Sequence, residues 1–291
     1  MATAKDLIIK SIDRNTANAL VRKEHYSGKV VNNSQLHFGI YWQGKLEGCL
    51  QFGPSLDKRK IQGLVAGTQW HQFIELNRMA FSEVLPRNSE SRAIAICMKL
   101  IKKHAPQIKW VISFADATQC GDGTIYRASG FVLTSIKAND QIWIAPQGEA
   151  TKDGLSLTDK SSKKEKAKAQ TLSRVTATKG KHITHSASLR PGIGAITTAA
   201  SPGGGSSMKA YQAAGFRPLE GFQLRYIYFI DQSWKSRLTV PIIPFSEIDK
   251  MQAGMYKGKK RVVSAESGTS GDQPEGDGAS PITTLHNTND S

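Results

Sequence analysis

Apolar and polar residues alternate along the first 145 residues in a pattern typical of a protein with both strands and helices. Apolar runs bounded by turn residues predict strands, and these are residues 6–12, 36–42, 46–52, 70–81, 110–115 and 131–136. Gln43-Gly44 between two of them indicates a β-hairpin. Helical spacing predicts helices over 13–24, over a segment that follows 85–91 and ends at 102–104, and over 123–129. The order predicts an α/β fold with a central mixed sheet.

The pattern is lost after residue 146 and returns near the last strong strand, residues 222–230. Residues 152–190 hold ten Lys/Arg and three Asp/Glu, so we expect 147–207 to be a basic insertion that contacts DNA phosphates. Its predicted contacts are Lys163, Lys164, Lys166 and Lys168. A solvated linker is the alternative. The predicted organisation is a core over 1–146, the insertion over 147–207, a return to the core over 208–262, and a disordered tail over 263–291.

The net charge of the 291-residue chain, +15, predicts a polyanionic partner. Nucleic acid is the simplest such partner, and general basicity for solubility is the alternative. The spacing of the three cysteines matches neither a disulfide framework nor a zinc site. No apolar run approaches the length of a membrane span, and the N-terminal residues do not resemble a signal peptide. These features predict a cytoplasmic protein without a membrane partner.

The segment 113–131 contains the strongest candidate for chemistry. A buried strand, 110–114, runs into a polar, glycine-rich loop that begins at Asp116, and a short helix carrying Tyr126 follows. Ligands of open α/β sheets bind beyond the carboxyl ends of strands, so we expect Asp116 and Tyr126 to lie at a functional site. The alternative is that Asp116 only caps the helix.

The order of elements resembles the Gcn5-related acyltransferase fold, with a basic insertion before the last strand. In that fold, a Tyr four residues before Gly-Phe commonly protonates the leaving group, and Tyr126 occupies this place ahead of Gly130. The turn that normally binds coenzyme A through glycine N–H groups reads Pro86-Arg-Asn-Ser-Glu-Ser-Arg92 and contains no glycine. This departure argues against acetyl-CoA as the donor. Arg87 and Arg92 are predicted to bind a donor phosphate instead.

Several longer segments resemble the Mom DNA-modification proteins of Mu-like bacteriophages. They include His25-Tyr-Ser-Gly-Lys-Val-Val-Asn-Asn33, Glu75-Leu-Asn-Arg-Met-Ala-Phe81, and the stretches 51–59, 85–92 and 114–131. The resemblance covers roughly residues 5–145 and returns over 208–258. It implies conversion of adenine in phage DNA to N6-(carbamoylmethyl)adenine, which resists host restriction endonucleases, in the cytoplasm of the bacterial host. It also implies an iron requirement.

The resemblance suggests roles for matching residues. Asp116 would accept a proton from adenine N6, Tyr126 would protonate the leaving group or hold the base, and His25 would lie near the acceptor. Arg78 and Ser91 would hold the donor on either side of the turn. Alternatives remain open: Arg78 pairing with Glu75 or Glu83, His25 as a loop histidine, and Ser91 as part of a helix start.

The expected product is an isomer of N6-glycyladenine, which leads to the hypothesis of glycyl transfer followed by rearrangement. The donor would be an activated glycine, for which glycyl-tRNA would suit the basic charge. The chain lacks the H-x-D/E…H spacing of an iron site. The residues that would have to converge as ligands are His25, His37, His71, Asp116 and Cys120.

The expected DNA substrate is double-stranded or locally opened, because N6 must be free of base pairing. Four aromatic residues are candidates for stacking on the base, with core packing as the alternative: Tyr26, Tyr41, Trp42 and Trp70. Two rival functions remain. One is a conventional N-acetyltransferase, and the other is a non-catalytic DNA-binding protein that shields restriction sites. The sequence does not predict the oligomeric state.

Overall fold

A computed structural model describes residues 3–55, 57–139, 142–144, 177–178, 181–185, 217–257 and 259–261. Most of the predicted basic insertion, 147–207, lies outside these residues, as does the predicted tail. The four lysines predicted to contact DNA, Lys163, Lys164, Lys166 and Lys168, are also outside them and stay a prediction. Within the described parts of the chain, no helix is long and apolar enough to cross a membrane.

A seven-stranded mixed sheet forms the centre of the fold. Its strands are β1 (Ile8–Ser11), β2 (Leu36–Trp42), β3 (Lys45–Gly53), β4 (Phe73–Phe81), β5 (Trp110–Ala117), β6 (Val132–Ala138) and β11 (Phe222–Phe229). The short strands outside it are β7 (Ile142–Ile144), β8 (Ala177–Thr178), β9 (Lys181–His185), β10 (Arg217–Pro218), β12 (Met255–Tyr256) and β13 (Lys259–Lys260). The order across the sheet is β1-β2-β3-β4-β5-β11-β6. This arrangement confirms the predicted mixed sheet and the acyltransferase-like fold.

Five α-helices are present in the described parts, with two 3₁₀ turns at Ala4–Asp6 and Gln232–Arg237. The helices are α1 (Arg14–Glu24), α2 (Lys58–Gln62), α3 (Ser89–His104), α4 (Thr124–Ala128) and α5 (Ser246–Lys250). α1 begins where predicted, because Asp13 accepts hydrogen bonds from the backbone N–H groups of Asn15 and Thr16. The α2 and α5 helices were not expected from the sequence.

The pairing between β4 and β5 positions the candidate site. This is the parallel pair of the seven-stranded sheet, and it joins only Phe73–Glu75 to Trp110–Ile112. Beyond this point the two strands separate, although the Ser113 hydroxyl still donates to the Leu76 carbonyl across 3.3 Å. β11 pairs with β5 along its whole length and brings Gln223 opposite Asp116. The region beyond the last paired residues, between β4 and the carboxyl end of β5, is called the cleft.

Apolar residues cover both faces of the sheet. α3 packs on one face through Ile94, Cys97 and Ile101, which belong to the large core cluster with Leu50 and Val111. On the other face, α1 packs through Ala17 and Val21 against Cys49. A separate cluster around Trp110, Ile227 and Trp234 holds α2 and the second 3₁₀ turn. The rigid sheet between these layers carries the polar residues of the cleft.

The start of β4 differs from the sequence prediction, whereas the hairpin turn agrees with it. β4 begins at Phe73 rather than at residue 70, because Gln69–Gln72 form a turn in which the Gln72 N–H donates to the Gln69 carbonyl at 3.0 Å. The predicted hairpin turn is confirmed, with left-handed φ values of 51° at Gln43 and 77° at Gly44.

Candidate active site

Asp116 lies at the end of β5 as the centre of a dense hydrogen-bond network. Its Oδ1 accepts from the Thr118 N–H at 3.0 Å, from the Thr118 hydroxyl, and from Gln223 Nε2 at 2.9 Å. Its Oδ2 accepts longer bonds from the Tyr26 hydroxyl, at 3.1 Å, and from Gln119 Nε2, at 3.2 Å. The residue is 9% exposed. All five hydrogen bonds use the two carboxylate oxygens as acceptors, so the side chain is held in one orientation.

Tyr26 brings the first loop of the chain to this carboxylate. The loop begins at His25, where α1 ends. The His25 ring lies 4.4 Å from the Tyr26 ring between centroids, and its Nδ1 accepts the Ser27 N–H at 3.1 Å. Burial and the Asp116 charge raise the pKa of Tyr26 well above its ordinary value. His25, predicted to lie near the acceptor, is therefore close to the site and packs against the Tyr26 ring.

Tyr126 is buried beside the cleft. Its ring lies 5.2 Å from the rings of both Phe131 and Tyr226, and its hydroxyl lies near the Ser113 side chain. Burial raises the pKa of Tyr126 to about 12, so the phenol keeps its proton at neutral pH. The helix that carries it starts at Gly123, which has a φ of 87° and lies directly under the Tyr226 ring. A side chain at Gly123 would collide with that ring.

Arg78, predicted to hold the donor, lies on the loop side of the cleft. Its Nε donates to the Lys29 carbonyl at 2.8 Å and its Nη1 donates to the Asn77 carbonyl at 2.7 Å. Burial lowers the pKa of Arg78, and the nearby Tyr26, Glu75 and Tyr126 favour its charged form. The contacts show that Arg78 ties the loop of residues 25–33 to β4, in place of the surface ion pair considered from the sequence.

Three other predicted donor-binding residues line one groove. Arg87, Ser91 and Arg92 surround a cavity of about 590 Å³ with Lys5 and Lys99. The groove lies at the N-terminal end of α3, where Asn88 has a φ of 70° and makes no side-chain cap. Ser91 donates to the Asn88 carbonyl at 3.2 Å, so it also takes part in the helix start. Four cations beside an uncapped helix N-terminus suit a phosphate group.

The residues proposed as iron ligands do not converge as a set. Among the described residues, no group of three His, Cys, Asp or Glu side chains has the geometry to hold a metal ion. His37 Nδ1 is 3.2 Å from Gln51 Nε2, and His71 is exposed ahead of β4. Cys120 is exposed as a residue, but partial desolvation of its thiol and the Asp116 charge raise the pKa of the thiol to about 11, which disfavours the thiolate that binds metals. The described residues therefore do not fit an iron site, and no step is assigned to iron.

The four aromatic candidates for base stacking lie in different places. Tyr26 is in the site. Trp42 packs against the core, and Lys10 lies over the Tyr41 ring at 5.4 Å. Trp70 is 48% exposed and has Lys58 over its ring at 4.3 Å, but it precedes the opposite end of β4 from the cleft. Only Tyr26 among the four contacts Asp116.

Comparison with known proteins identifies related sequences. The model of a family described as the Mom protein family matches residues 6–186. This match extends into 147–186, which we had expected to lie outside the resemblance, and it ends before 208–258. The "Methylcarbamoylase mom" of Escherichia phage Mu is 40% identical over 129 residues, which are 44% of this chain and 53% of that protein. The chain thus spans about half the length of this relative.

Solved structures with some likeness are acetyltransferases. An IAA acetyltransferase from Bacillus cereus is 12% identical with a TM-score of 0.33, covering 46% of this chain and 82% of its own. The ribosomal-protein-S18-alanine N-acetyltransferase of Escherichia coli is 12% identical with a TM-score of 0.31. The likeness covers 48% of this chain and 84% of the acetyltransferase. These scores are too low to carry an argument, so the fold assignment depends on strand order.

Proposed function

Because the chain belongs to the Mom protein family, we propose that it converts adenine in DNA to N6-(carbamoylmethyl)adenine. The modified base would protect phage DNA from host restriction endonucleases in the bacterial cytoplasm. The observation that carries the proposal is the group of polar side chains where the β4–β5 pairing ends. The Asp116 carboxylate accepts a hydrogen bond from the protonated Tyr26 hydroxyl, and Arg78 lies near both Tyr26 and the protonated Tyr126. A carboxylate can accept the proton of an amine, and a protonated phenol can donate a proton to a leaving group.

Asp116 is the proton acceptor of the proposed reaction. The lone pair of the adenine N6 amine is delocalised into the ring, so the amine gains nucleophilicity as it loses a proton. Oδ1 is fixed by Thr118 and Gln223, whereas Oδ2 has two longer contacts, to Tyr26 and Gln119. The amine would therefore meet Oδ2 and displace one of these two donors.

The proposed donor is a glycine activated as an ester. Adenine N6 attacks the glycyl carbonyl carbon, the ester bond breaks, and Tyr126 gives its proton to the departing oxygen. The product is an amide of glycine on N6. Tyr126 suits this step because its raised pKa keeps the proton in place until the alkoxide develops.

A rearrangement then gives the carbamoylmethyl group. The free amine of the glycyl unit attacks ring carbon C6 through a five-membered ring, the bond from C6 to the original N6 breaks, and that nitrogen becomes a primary carboxamide. The two nitrogens exchange places, and the step is an isomerisation that needs no oxidant or further reactant. Acyl transfer and rearrangement together account for every atom of the expected base.

The basic groove at α3 is the proposed site for phosphates of the donor. Arg87, Arg92, Lys5 and Lys99 supply the positive charge, and Ser91 adds a hydroxyl. A glycyl-tRNA carries phosphates close to its ester and fits this chemistry. Acetyl-CoA is the donor of the rival N-acetyltransferase function, and the glycine-free turn weighs against that donor.

Bacteria that express the chain and grow on glycine labelled with ¹³C and ¹⁵N would test the donor. Purine synthesis itself incorporates glycine, so the modified deoxyadenosine is compared with unmodified deoxyadenosine from the same DNA by mass spectrometry of nucleosides. We expect the two to differ by one fully labelled glycyl unit. A difference that carries no label would refute glycine as the donor while leaving adenine modification in place. Saturable binding of acetyl-CoA, together with unmodified DNA, would favour the N-acetyltransferase.

A further inference from the structure

The last described segment forms a hairpin against the loop that carries Asp116. β12 and β13 pair Met255 with Lys260. The Asp122 N–H donates to the Met255 carbonyl at 2.9 Å, and the Met255 N–H donates to Asp122 Oδ2 at 3.2 Å. The Gly121 N–H donates to the Asp116 carbonyl at 3.1 Å. A short hydrogen-bonded path thus connects the hairpin to the proposed proton acceptor.

An ion pair between Arg261 and the buried Asp122 carboxylate fixes this connection. The Arg261 guanidinium lies 2.6 Å from Asp122 Oδ2 and 3.1 Å from Asp249 Oδ1. The Asp122 side chain is 3% exposed, whereas that of Arg261 is 35% exposed. Removing the partner of a buried charge is strongly destabilising, so Arg261 holds the hairpin in one place relative to the site loop.

The hairpin exposes an aromatic ring and several lysine side chains to solvent. Tyr256 is 57% exposed, and Lys257 lies over its ring at 5.9 Å. Lys259, the cross-strand partner of Tyr256, lies on the same face and is exposed. Lys260, the partner of the buried Met255, is also exposed. An exposed ring such as that of Tyr256 adds little to the packing of the protein itself. The nearby Asp249 is already paired with Arg261. Lysines that bind backbone phosphates and rings that stack on unpaired bases are what proteins use to hold opened nucleic acid.

We propose that this hairpin, Met255–Lys260, is the element that holds the target DNA beside the active site. Lys257, Lys259 and Lys260 bind phosphates next to the target adenine, and Tyr256 stacks on a base exposed when the duplex opens. This assignment rests on the proposed DNA-modifying function. It explains why the hairpin is fastened to the loop of Asp116: DNA held here lies next to the proton acceptor.

Charge removal on the full-length protein tests the phosphate contacts. The variant Lys259→Gln/Lys260→Gln is compared with Lys102→Gln/Lys103→Gln, which removes the same charge from the exposed end of α3. Binding of a fluorescent duplex is followed by anisotropy over a range of salt concentrations. We expect the hairpin variant to lose roughly eightfold in affinity per lysine near 0.1 M salt and to lower the salt slope by about two. The control should change neither by a comparable amount.

A second pair of variants tests stacking. Tyr256→Ala and Tyr256→Phe are measured on a duplex whose central adenines face abasic sites, which leaves them unpaired. Loss of the ring should weaken binding to this duplex on the order of tenfold, whereas Phe should preserve it. Equal binding by the Ala variant and the wild type would overturn the stacking role.

The outcomes separate this inference from the proposed function. If the wild type modifies adenine but both lysine pairs behave alike, the hairpin is not the DNA contact and the function stands. If the hairpin variant loses affinity for tRNA while duplex binding is unchanged, the hairpin contacts the donor and the inference is wrong. A soluble wild type that neither binds nor modifies DNA would refute both.

Discussion

Replacing Tyr126 with Phe removes one hydroxyl from the centre of the proposed mechanism and leaves the packing nearly intact. The ring contacts with Phe131 and Tyr226, at 5.2 Å, are preserved. Loss of the polar contact with Ser113 should cost no more than about 1 kcal/mol of unfolding free energy. Loss of a general acid, by contrast, lowers a rate by roughly 10²- to 10⁴-fold. We therefore expect a folded protein with almost no modifying activity.

The matched control for this change is Tyr226→Phe. The Tyr226 hydroxyl is also buried and donates to the Asp122 carbonyl, so its removal costs a similar amount of stability without touching the proposed acid. Modified deoxyadenosine in bacterial DNA is measured over time after induction, and thermal unfolding of each purified variant is measured alongside. Modification by Tyr126→Phe at more than about one tenth of the wild-type rate would refute the acid role.

Three further changes test other parts of the account. Burial raises the pKa of Tyr126 from 10.0 to about 12. The stability that the protonated phenol contributes is therefore complete below pH 10 and is lost as the pH rises towards 12. In urea unfolding over this range, the wild type should lose up to about 2–3 kcal/mol more unfolding free energy than Tyr126→Phe. The variant Arg87→Gln/Arg92→Gln should lose roughly fivefold or more in tRNA affinity per arginine while duplex affinity stays unchanged, measured by anisotropy. Cys120→Ala should keep nucleoside modification within about threefold of the wild type, because a thiol with a pKa of about 11 is protonated at neutral pH.

The parts of the fold that local sequence determines were predicted closely. The Gln43-Gly44 turn and the Asp13 cap each depend on residues next to one another in the chain. α2 and the hairpin of β12 and β13 were missed, because they span six residues or fewer and depend on packing against distant segments. The Ile61 and Leu64 side chains of the α2 region pack in the cluster around Trp110, for example.

The candidate site also has one part that neighbouring residues predict and one part that depends on contacts between distant segments. Asp116 and Tyr126 were predicted together because one strand, one loop and one short helix carry both. The contacts of Asp116 with Tyr26 and Gln223 cross 90 and 107 residues of chain. The first depends on how the loop after α1 folds over the cleft, and the second on the register between β5 and β11. Neither leaves a pattern in the sequence around Asp116.

Arg78 illustrates why a resemblance does not place a side chain. It was expected in the donor site with Arg87, Ser91 and Arg92, and only these last three line the groove. The contact of Arg78 with the Lys29 carbonyl depends on the path of the loop. Its position beside Tyr26 and Tyr126 makes it part of the cleft.

Mass spectrometry of nucleosides from bacteria that express the chain tests the central claim most directly. The comparison is between the wild type and Asp116→Asn, which keeps the size of the side chain and removes its ability to accept a proton. The account predicts a deoxyadenosine heavier by one glycyl unit in the wild type and its absence in the variant. Equal modification by both proteins would contradict the role of Asp116. Unmodified DNA that is nevertheless protected from restriction in both would indicate a shielding protein in place of an enzyme.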